Sequence, residues 1–277
     1  MRKILQISDV HFGRPHLAEV SAGVLELVDR RQPDLVVIAG DLTQRAKPRE
    51  FVLARRWVDR LSRPSVAVPG NHDVPMYRFW ERLFTPFGAY RRHFDAEFEP
   101  LFEDEELFVI CINSAFNWTI KDGRVGSARL RRAARRLAAA PNGKTRIAVV
   151  HHELIPAPRF GAQKVMSNAE ALVELLAAGG VELVLSGHLH QAYCARAESY
   201  YPALGSSMVI AHSGTTTSSR GRGCERGHNS AQWIEIEPGS IRLTKLEWEP
   251  ALAGFVDREV HDFPRLQPSA ESTTTVD

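Results

Sequence analysis

Cysteine is scarce: Cys111, Cys194 and Cys224 are the only three in 277 residues, and their spacing is unpaired. An odd, scattered set predicts no disulfide framework, fits a reducing compartment and argues against a cysteine-based zinc site. Net charge is also scarce. The formal value of +2 is too small to call for nucleic acid by itself. There is no apolar run of membrane-spanning length, and the first strand is expected from Arg2 with no apolar leader segment before it. The expectation is a cytoplasmic protein. No repeat of solenoid period is present. What remains is ordinary for a globular chain, 44% hydrophobic and 25% charged, with enough apolar residues for a core that needs no staples.

What is present is a repeated order. Five apolar runs each end in residues capable of metal binding or proton transfer. The runs 4–7, 35–39, 65–68, 147–150 and 181–185 lead respectively to Asp9-Val10-His11, Gly40-Asp41, Pro69-Gly70-Asn71-His72-Asp73, His151-His152 and Gly187-His188-Leu189-His190. Short apolar runs separated by helical patterns predict a buried, largely parallel sheet. In such sheets, sites form just beyond the carboxyl ends of the strands. One polar cluster would be a capped turn. Several, each placed alike after its strand, point to one site built from several loops.

Between these runs, Leu17 to Arg31 predicts a helix with Val20, Val24, Leu27 and Val28 on one face, and Pro48 opens a second that runs to about Leu61. The stretch from Val74 to Tyr90 reads as a short helix beside the site, with most of its aromatics (Tyr77, Phe79, Trp80, Phe84, Phe87) expected in a local hydrophobic cluster. Glu97 to Phe102 and Leu107 to Asn113 predict a hairpin around an acidic turn. Ser127 caps a helix whose outer side carries Arg131, Arg132, Arg135 and Arg136, expected to be a solvated face. A further helix spans Asn168 to Ala178. After His190, the β-rich runs 192–197, 208–212, 231–237 and 240–248 predict a second, mainly antiparallel sheet. One domain is expected over residues 1–263, then a disordered polar tail over 264–277.

Asp9, His11, Asp41, Asn71, His151, His188 and His190 together offer two carboxylates, one amide oxygen and four imidazoles. This exceeds what one tetrahedral zinc needs and suits two first-row metals that share a carboxylate. His152 is an alternative to His151, because periodicity does not separate neighbours. Two divalent ions against two Asp residues and a hydroxide leave the site net positive, which favours an anionic substrate such as a phosphate ester. Water on such ions loses its proton near neutral pH, giving a nucleophile without Ser or Cys. Arg14, Arg159, Lys164, Arg220 and Arg222 lie in loops near these motifs and are either surface charge or substrate contacts. The motif loops themselves hold few cations, with none from Pro69 to Pro75 or from Ser186 to Cys194. That pattern leans toward a diester.

The five motifs, in order between residues 9 and 190, resemble those of the calcineurin-like metallophosphoesterases. The resemblance implies an α/β fold, a four-layer αββα sandwich of two mixed sheets flanked by helices, with two metal ions (Mn, Fe or Zn) at the strand ends. It implies Asp9, His11, Asp41 and His190 for the first ion, and Asp41, Asn71, His151 and His188 for the second, with Asp41 as the bridge. His72 matches the catalytic histidine that contacts the substrate phosphate and helps the leaving group depart; Asp73 matches an orienting neighbour. The opening and closing motifs are similar to those of bacterial class III cyclic-nucleotide phosphodiesterases, and glycerophosphodiesterases share the ligand set. Both often carry two prolines after the His-His pair, where this chain has Glu153-Leu154. The expectation is hydrolysis of a small phosphodiester, with 3′,5′-cyclic nucleotides as candidates, by attack of a metal-bridging hydroxide. Neither a membrane nor a nucleic-acid partner is expected. The alternatives are a phosphomonoesterase, pyrophosphatase or nuclease of the same family, and then a non-catalytic scaffold.

Overall fold

A computed structural model describes residues 1–157 and 164–265. Arg159, and the expected tail from residue 266 on, lie outside the described residues. The chain begins β1 (Arg2–Ile7), α1 (Ala18–Arg31), β2 (Leu35–Ile38), α2 (Pro48–Val58), β3 (Ser65–Ala67). Two short helices follow, α3 (Phe79–Phe84) and α4 (Gly88–His93), then the expected hairpin, β4 (Leu101–Glu103) and β5 (Leu107–Ile112). Next come α5 (Ser127–Ala138), β6 (Thr145–Val150), α6 (Ala169–Ala178), β7 (Leu183–Ser186), β8 (Tyr193–Arg196) and β9 (Val209–His212). The chain closes with β10 (Ser230–Ile236), β11 (Ser240–Glu249) and β12 (Gly254–Pro264).

Two six-stranded sheets result, in the orders β12-β11-β10-β1-β2-β3 and β4-β5-β6-β7-β9-β8. In the first, β1, β2 and β3 are parallel and the last three strands are added antiparallel. In the second, β5, β6, β7 and β9 are parallel, with β4 and β8 as antiparallel edges. The β-rich runs after His190 therefore do not make a sheet of their own. They divide between the two sheets, because each parallel core leaves free strand edges to be covered.

Alternation along the strands sorts the core into three apolar layers. Leu5, Ile7, Val36 and Ile38 face Val24, Leu27, Phe51 and Trp57 of α1 and α2. Ile4, Leu35 and Val37 meet Val109, Ile147, Val149 and Leu185 between the sheets. Ile110, Ala148, Val150 and Val184 pack on Leu137, Leu172 and Leu176 of α5 and α6. The order of layers is thus helix, sheet, sheet, helix. Strands buried on both faces must be apolar throughout, which is why these runs show no alternation in the sequence.

Register decides where the polar clusters fall. Ile7 lies opposite Ile38, and Ile38 opposite Ala67. Ile112 lies opposite Val150, Val149 opposite Leu185, and Ser186 opposite His212. The parallel strands of each sheet therefore end level, and the loops after them share one rim. Near that rim, Gln6 Nε2 donates to Ser186 O at 2.8 Å and Gln232 Nε2 to His212 O at 3.0 Å, joining the sheets through buried hydrogen bonds.

The outer face of α5 is less free than expected. Arg132 pairs with Glu97 and Glu99, and Arg136 donates to Glu99 O. The aromatics of the 74–90 stretch also divide. Phe87 and Tyr90 are core residues, whereas Tyr77, Phe79, Trp80 and Phe84 are exposed.

Candidate metal centre

The loops after β1, β2, β3, β6 and β7 carry all seven expected donors to this rim, in two adjoining groups. In the first, His190 Nε2 is 3.0 Å from Asp9 Oδ1 and 3.3 Å from His11 Nε2. His11 Nε2 is 3.6 Å from both Asp9 Oδ1 and Asp41 Oδ2. In the second, Asn71 Oδ1 is 3.0 Å from His188 Nδ1 and 3.3 Å from His151 Nε2, and His151 Nε2 is 3.4 Å from Asp41 Oδ1. Asp41 thus turns one oxygen to each group.

Neighbouring groups fix the direction of each donor. His151 Nδ1 bonds Ala39 O at 2.7 Å and His190 Nδ1 bonds Arg220 O at 2.8 Å, which leaves each Nε2 aimed into the site. Asn71 Nδ2 donates to Ile120 O, which turns its carbonyl oxygen inward. The His188 N–H donates to Asp9 Oδ2 at 2.9 Å, and Ser8 Oγ is 2.7 Å from the same oxygen. Asp73 is an orienting group: its carboxylate accepts the N–H groups of Leu42, Thr43 and Gly70.

The backbone is bent hard to achieve this. Asp9 (φ 54), His11 (φ 50), Asp41 (φ 54), His188 (φ 77) and His190 (φ 58) are all left-handed, a conformation that costs L-residues about 1–2 kcal/mol each. Buried hydroxyls hold the first of these loops, with Thr215 Oγ1 on Asp9 O and Thr217 Oγ1 on Val10 O. Glycine is required where the loops meet. A Cβ on Gly70 would lie 2.1 Å from Asp41 Oδ1, and one on Gly40 would lie 2.4 Å from His151 Nδ1.

The donor set fits metal ions. Four donors at about 2.1 Å from a shared tetrahedral ion stand about 3.4 Å apart, and the first group lies close to that spacing. Asp9 Oδ1 is buried and has no hydrogen-bond partner among the described residues. Burial pushes His11 down to about 4, and burial with the neighbouring His151 pushes His188 down to about 3, so both are neutral near pH 7. Burial also opposes charging of His151, but Asp41 beside it outweighs this and raises it to about 10. Burial disfavours the charged form of Asp41, yet His151 and His72 hold its carboxyl well below the usual range. The pocket stabilises positive charge between Asp41 and its neighbours.

His152 joins His151 and His188 in one donor group, so the alternative ligand stays close. Its Nδ1 is 2.8 Å from Ser114 Oγ, and its Nε2 is buried without a partner among the described residues. Glu153, which stands in place of a proline, is buried with Oε2 3.8 Å from His188 Nε2; burial raises its carboxyl to about 7. His212 is buried and stacked on Tyr193, away from the two donor groups.

His72 is partly buried at the mouth. Its Nδ1 bonds Gln44 O at 2.9 Å, and Arg220 Nη1 lies 3.2 Å from its Nε2. Asn71, His72 and Arg220 open on a cleft of about 1100 Å³. Arg14, Arg45, Lys47, Arg49 and Arg222 line it as well, with Arg82 and Lys121. The cations that the motif loops lack reach the cleft from other loops, Arg14 and Arg220 among them, and from the start of α2.

Residues 2–192 match the model of the calcineurin-like phosphoesterase family. Over 200 residues the chain is 30% identical to a probable cyclic nucleotide phosphodiesterase of Synechococcus, covering 69% of this chain and 74% of that protein. Over 203 residues it is 30% identical to a 3′,5′-cyclic adenosine monophosphate phosphodiesterase of Escherichia coli, covering 68% and 70%. The fold is similar to that of a dimetal phosphatase from Danio rerio (TM-score 0.65, 12% identity, 95% of this chain and 98% of that one). It is also similar to a purple acid phosphatase from yellow lupin (TM-score 0.69, 11% identity, 95% and 53%). Sheet order, donor groups and family match agree: this chain belongs to the calcineurin-like phosphoesterase family and is a metal-dependent phosphoric ester hydrolase.

Proposed function

We propose that the chain is a phosphodiesterase that cleaves one ester arm of a small phosphodiester, 3′,5′-cyclic nucleotides included, with two divalent ions drawn from Mn, Fe or Zn. The observation that carries this is Asp41, whose two oxygens face two donor groups. Asp9, His11, Asp41 and His190 would hold one ion; Asp41, Asn71, His151 and His188 would hold the other. Bound there, the ions supply water acidified to near neutral pH and positive charge for the phosphate oxygens.

The chain's own residues do the rest. Gln44 O fixes the Nδ1–H tautomer of His72, so Nε2 is the nitrogen that can carry a proton to the departing ester oxygen. Arg220 Nη1 covers Nε2 and is placed to move onto a phosphate oxygen when substrate enters. The diester preference rests on the names of the two relatives, since the cationic cleft removes the charge argument for it. Bis-p-nitrophenyl phosphate, p-nitrophenyl phosphate and 3′,5′-cyclic AMP, compared at matched manganese loading, test the reading. Higher kcat/KM for the diesters is expected; a higher value for the monoester would overturn it.

A further inference from the structure

The cleft at Asn71 and His72 is lined by eight cationic side chains and a single carboxylate, Glu50. Some arginines elsewhere are matched, as in Arg31 with Asp257, Arg55 with Asp59 and Arg242 with Asp262, and the unmatched ones elsewhere, such as Arg56 and Arg131, are not gathered in this cleft. Among the described residues, none of the eight in the cleft forms an ion pair. Glu50 sets one negative charge against eight positive ones, and its Oε2 is occupied by the backbone N–H groups of Arg45 at 2.8 Å and Lys47 at 3.3 Å.

Three separate stretches build this wall. Arg14 follows β1, Arg49 lies in the first turn of α2, and Arg222 precedes β10. All three are exposed, and among the described residues their side chains have no hydrogen-bond partner. The positive pole of the α2 peptide dipoles lies beside Arg49. Like charges gathered without counter-charges repel one another, and a bound polyanion relieves that repulsion.

A cyclic mononucleotide carries one negative charge, and that charge belongs at the donor groups. It leaves the wall unmatched. We infer that the substrate is a small nucleotide diester bearing at least one further phosphate, seated on Arg14, Arg49 and Arg222 while the scissile diester lies at Asn71 and His72. This rests on the phosphodiesterase reading above. In the reaction, water adds its oxygen to the scissile phosphorus, the ester oxygen leaves with a proton, and the second phosphate is unchanged.

Thymidine 5′-(p-nitrophenyl phosphate) and its 3′-phosphorylated form isolate the point, since they share one scissile bond and one leaving group. With manganese-loaded protein, kcat/KM should favour the 3′-phosphorylated compound by about tenfold or more, the size of one charge-assisted contact. The ratio should fall toward one in the triple variant Arg14→Ala, Arg49→Ala, Arg222→Ala, and partway in Arg49→Ala alone. Equal values in the wild type would overturn the inference and leave the phosphodiesterase reading standing. If no diester is hydrolysed, that reading fails, and calorimetry decides the subsite by itself. Thymidine 3′,5′-bisphosphate should then bind about tenfold or more tightly than thymidine 5′-monophosphate to the wild type and lose this advantage in the triple variant. Equal affinities would overturn the inference. So would tighter binding of a short oligothymidylate strand than of the bisphosphate, which would assign the wall to a polymer.

Discussion

Nη1 of Arg220 lies 3.2 Å from Nε2 of His72, and the backbone carbonyl of the same arginine accepts from Nδ1 of His190 at 2.8 Å. One residue therefore links a proposed metal ligand to the proposed proton donor, from a loop about 150 residues further along the chain than His72. The His72 backbone N–H donates to Asp41 Oδ1 at 2.8 Å and its ring stands edge-on to His11 at 4.8 Å, but its ring nitrogens face Gln44 and Arg220 and belong to neither donor group.

His72→Ala should accordingly keep its full metal content while turnover falls by about 10²–10⁴-fold. The loss should be smaller for nitrophenyl diesters, whose leaving group needs less protonation. Elemental analysis beside steady-state kinetics checks both halves. A vacated metal site in the variant would assign His72 to metal instead.

Asp41→Ala should empty both donor groups, because each loses an oxygen that faces it. Asn71→Ala should weaken only the group it shares with His151 and His188. Metal per chain, measured after equilibration with saturating manganese, should be two for the wild type, one for Asn71→Ala and none for Asp41→Ala. A wild type that never exceeds one ion would count against the shared-carboxylate arrangement.

Gly70→Ala tests the packing of the loops rather than their chemistry. The added methyl would lie 2.1 Å from Asp41 Oδ1 and 2.5 Å from the Asp41 nitrogen, so Asp41 must move. Metal affinity should drop by about 10–100-fold, as for other changes next to ligands. Fluorescence-monitored metal titration reads this; wild-type affinity would show that Asp41 tolerates the shift.

Arg265 is the last of the described residues. Its guanidinium holds Glu182 through two contacts of 2.7 and 2.8 Å and also reaches Thr145 and Glu237 O, tying the first sheet to the second. A chain cut after residue 265 keeps these contacts and serves as the reference in urea unfolding. One cut after residue 263 should lose about 1–3 kcal/mol. Matching midpoints for the two truncations would refute this role.

Much of this was legible in the sequence because strand ends are local. An apolar run followed by Asp, Asn or His states both the strand and its chemistry, so the donors after β1, β2, β3, β6 and β7 could be named. Three things were not legible, each for a physical reason. β12 is an edge strand with mostly exposed side chains, so its sequence lacks the apolar run that betrays an inner strand. The membership of β8 to β12 in two different sheets depends on which edges the parallel cores leave open, and no single strand encodes that. The cationic cleft and the Arg220 contact join residues from distant loops, and a surface arginine looks the same in sequence whether it meets solvent or a cleft. The run Thr215-Thr216-Thr217, which carries no motif, supports the main chain of Asp9 and Val10.

The left-handed backbone at Asp9, His11, Asp41, His188 and His190 has a further meaning for descendants of this fold. That region of conformational space is the natural territory of glycine and, to a lesser degree, asparagine. A lineage that kept the sheets and abandoned the ions would gain stability by placing those two residues at these five positions. Retirement from catalysis would then leave a mark beyond missing donors: a shift toward the amino acids that the bends themselves prefer. The same five positions are where an engineer seeking an inert, heat-resistant scaffold of this shape would begin.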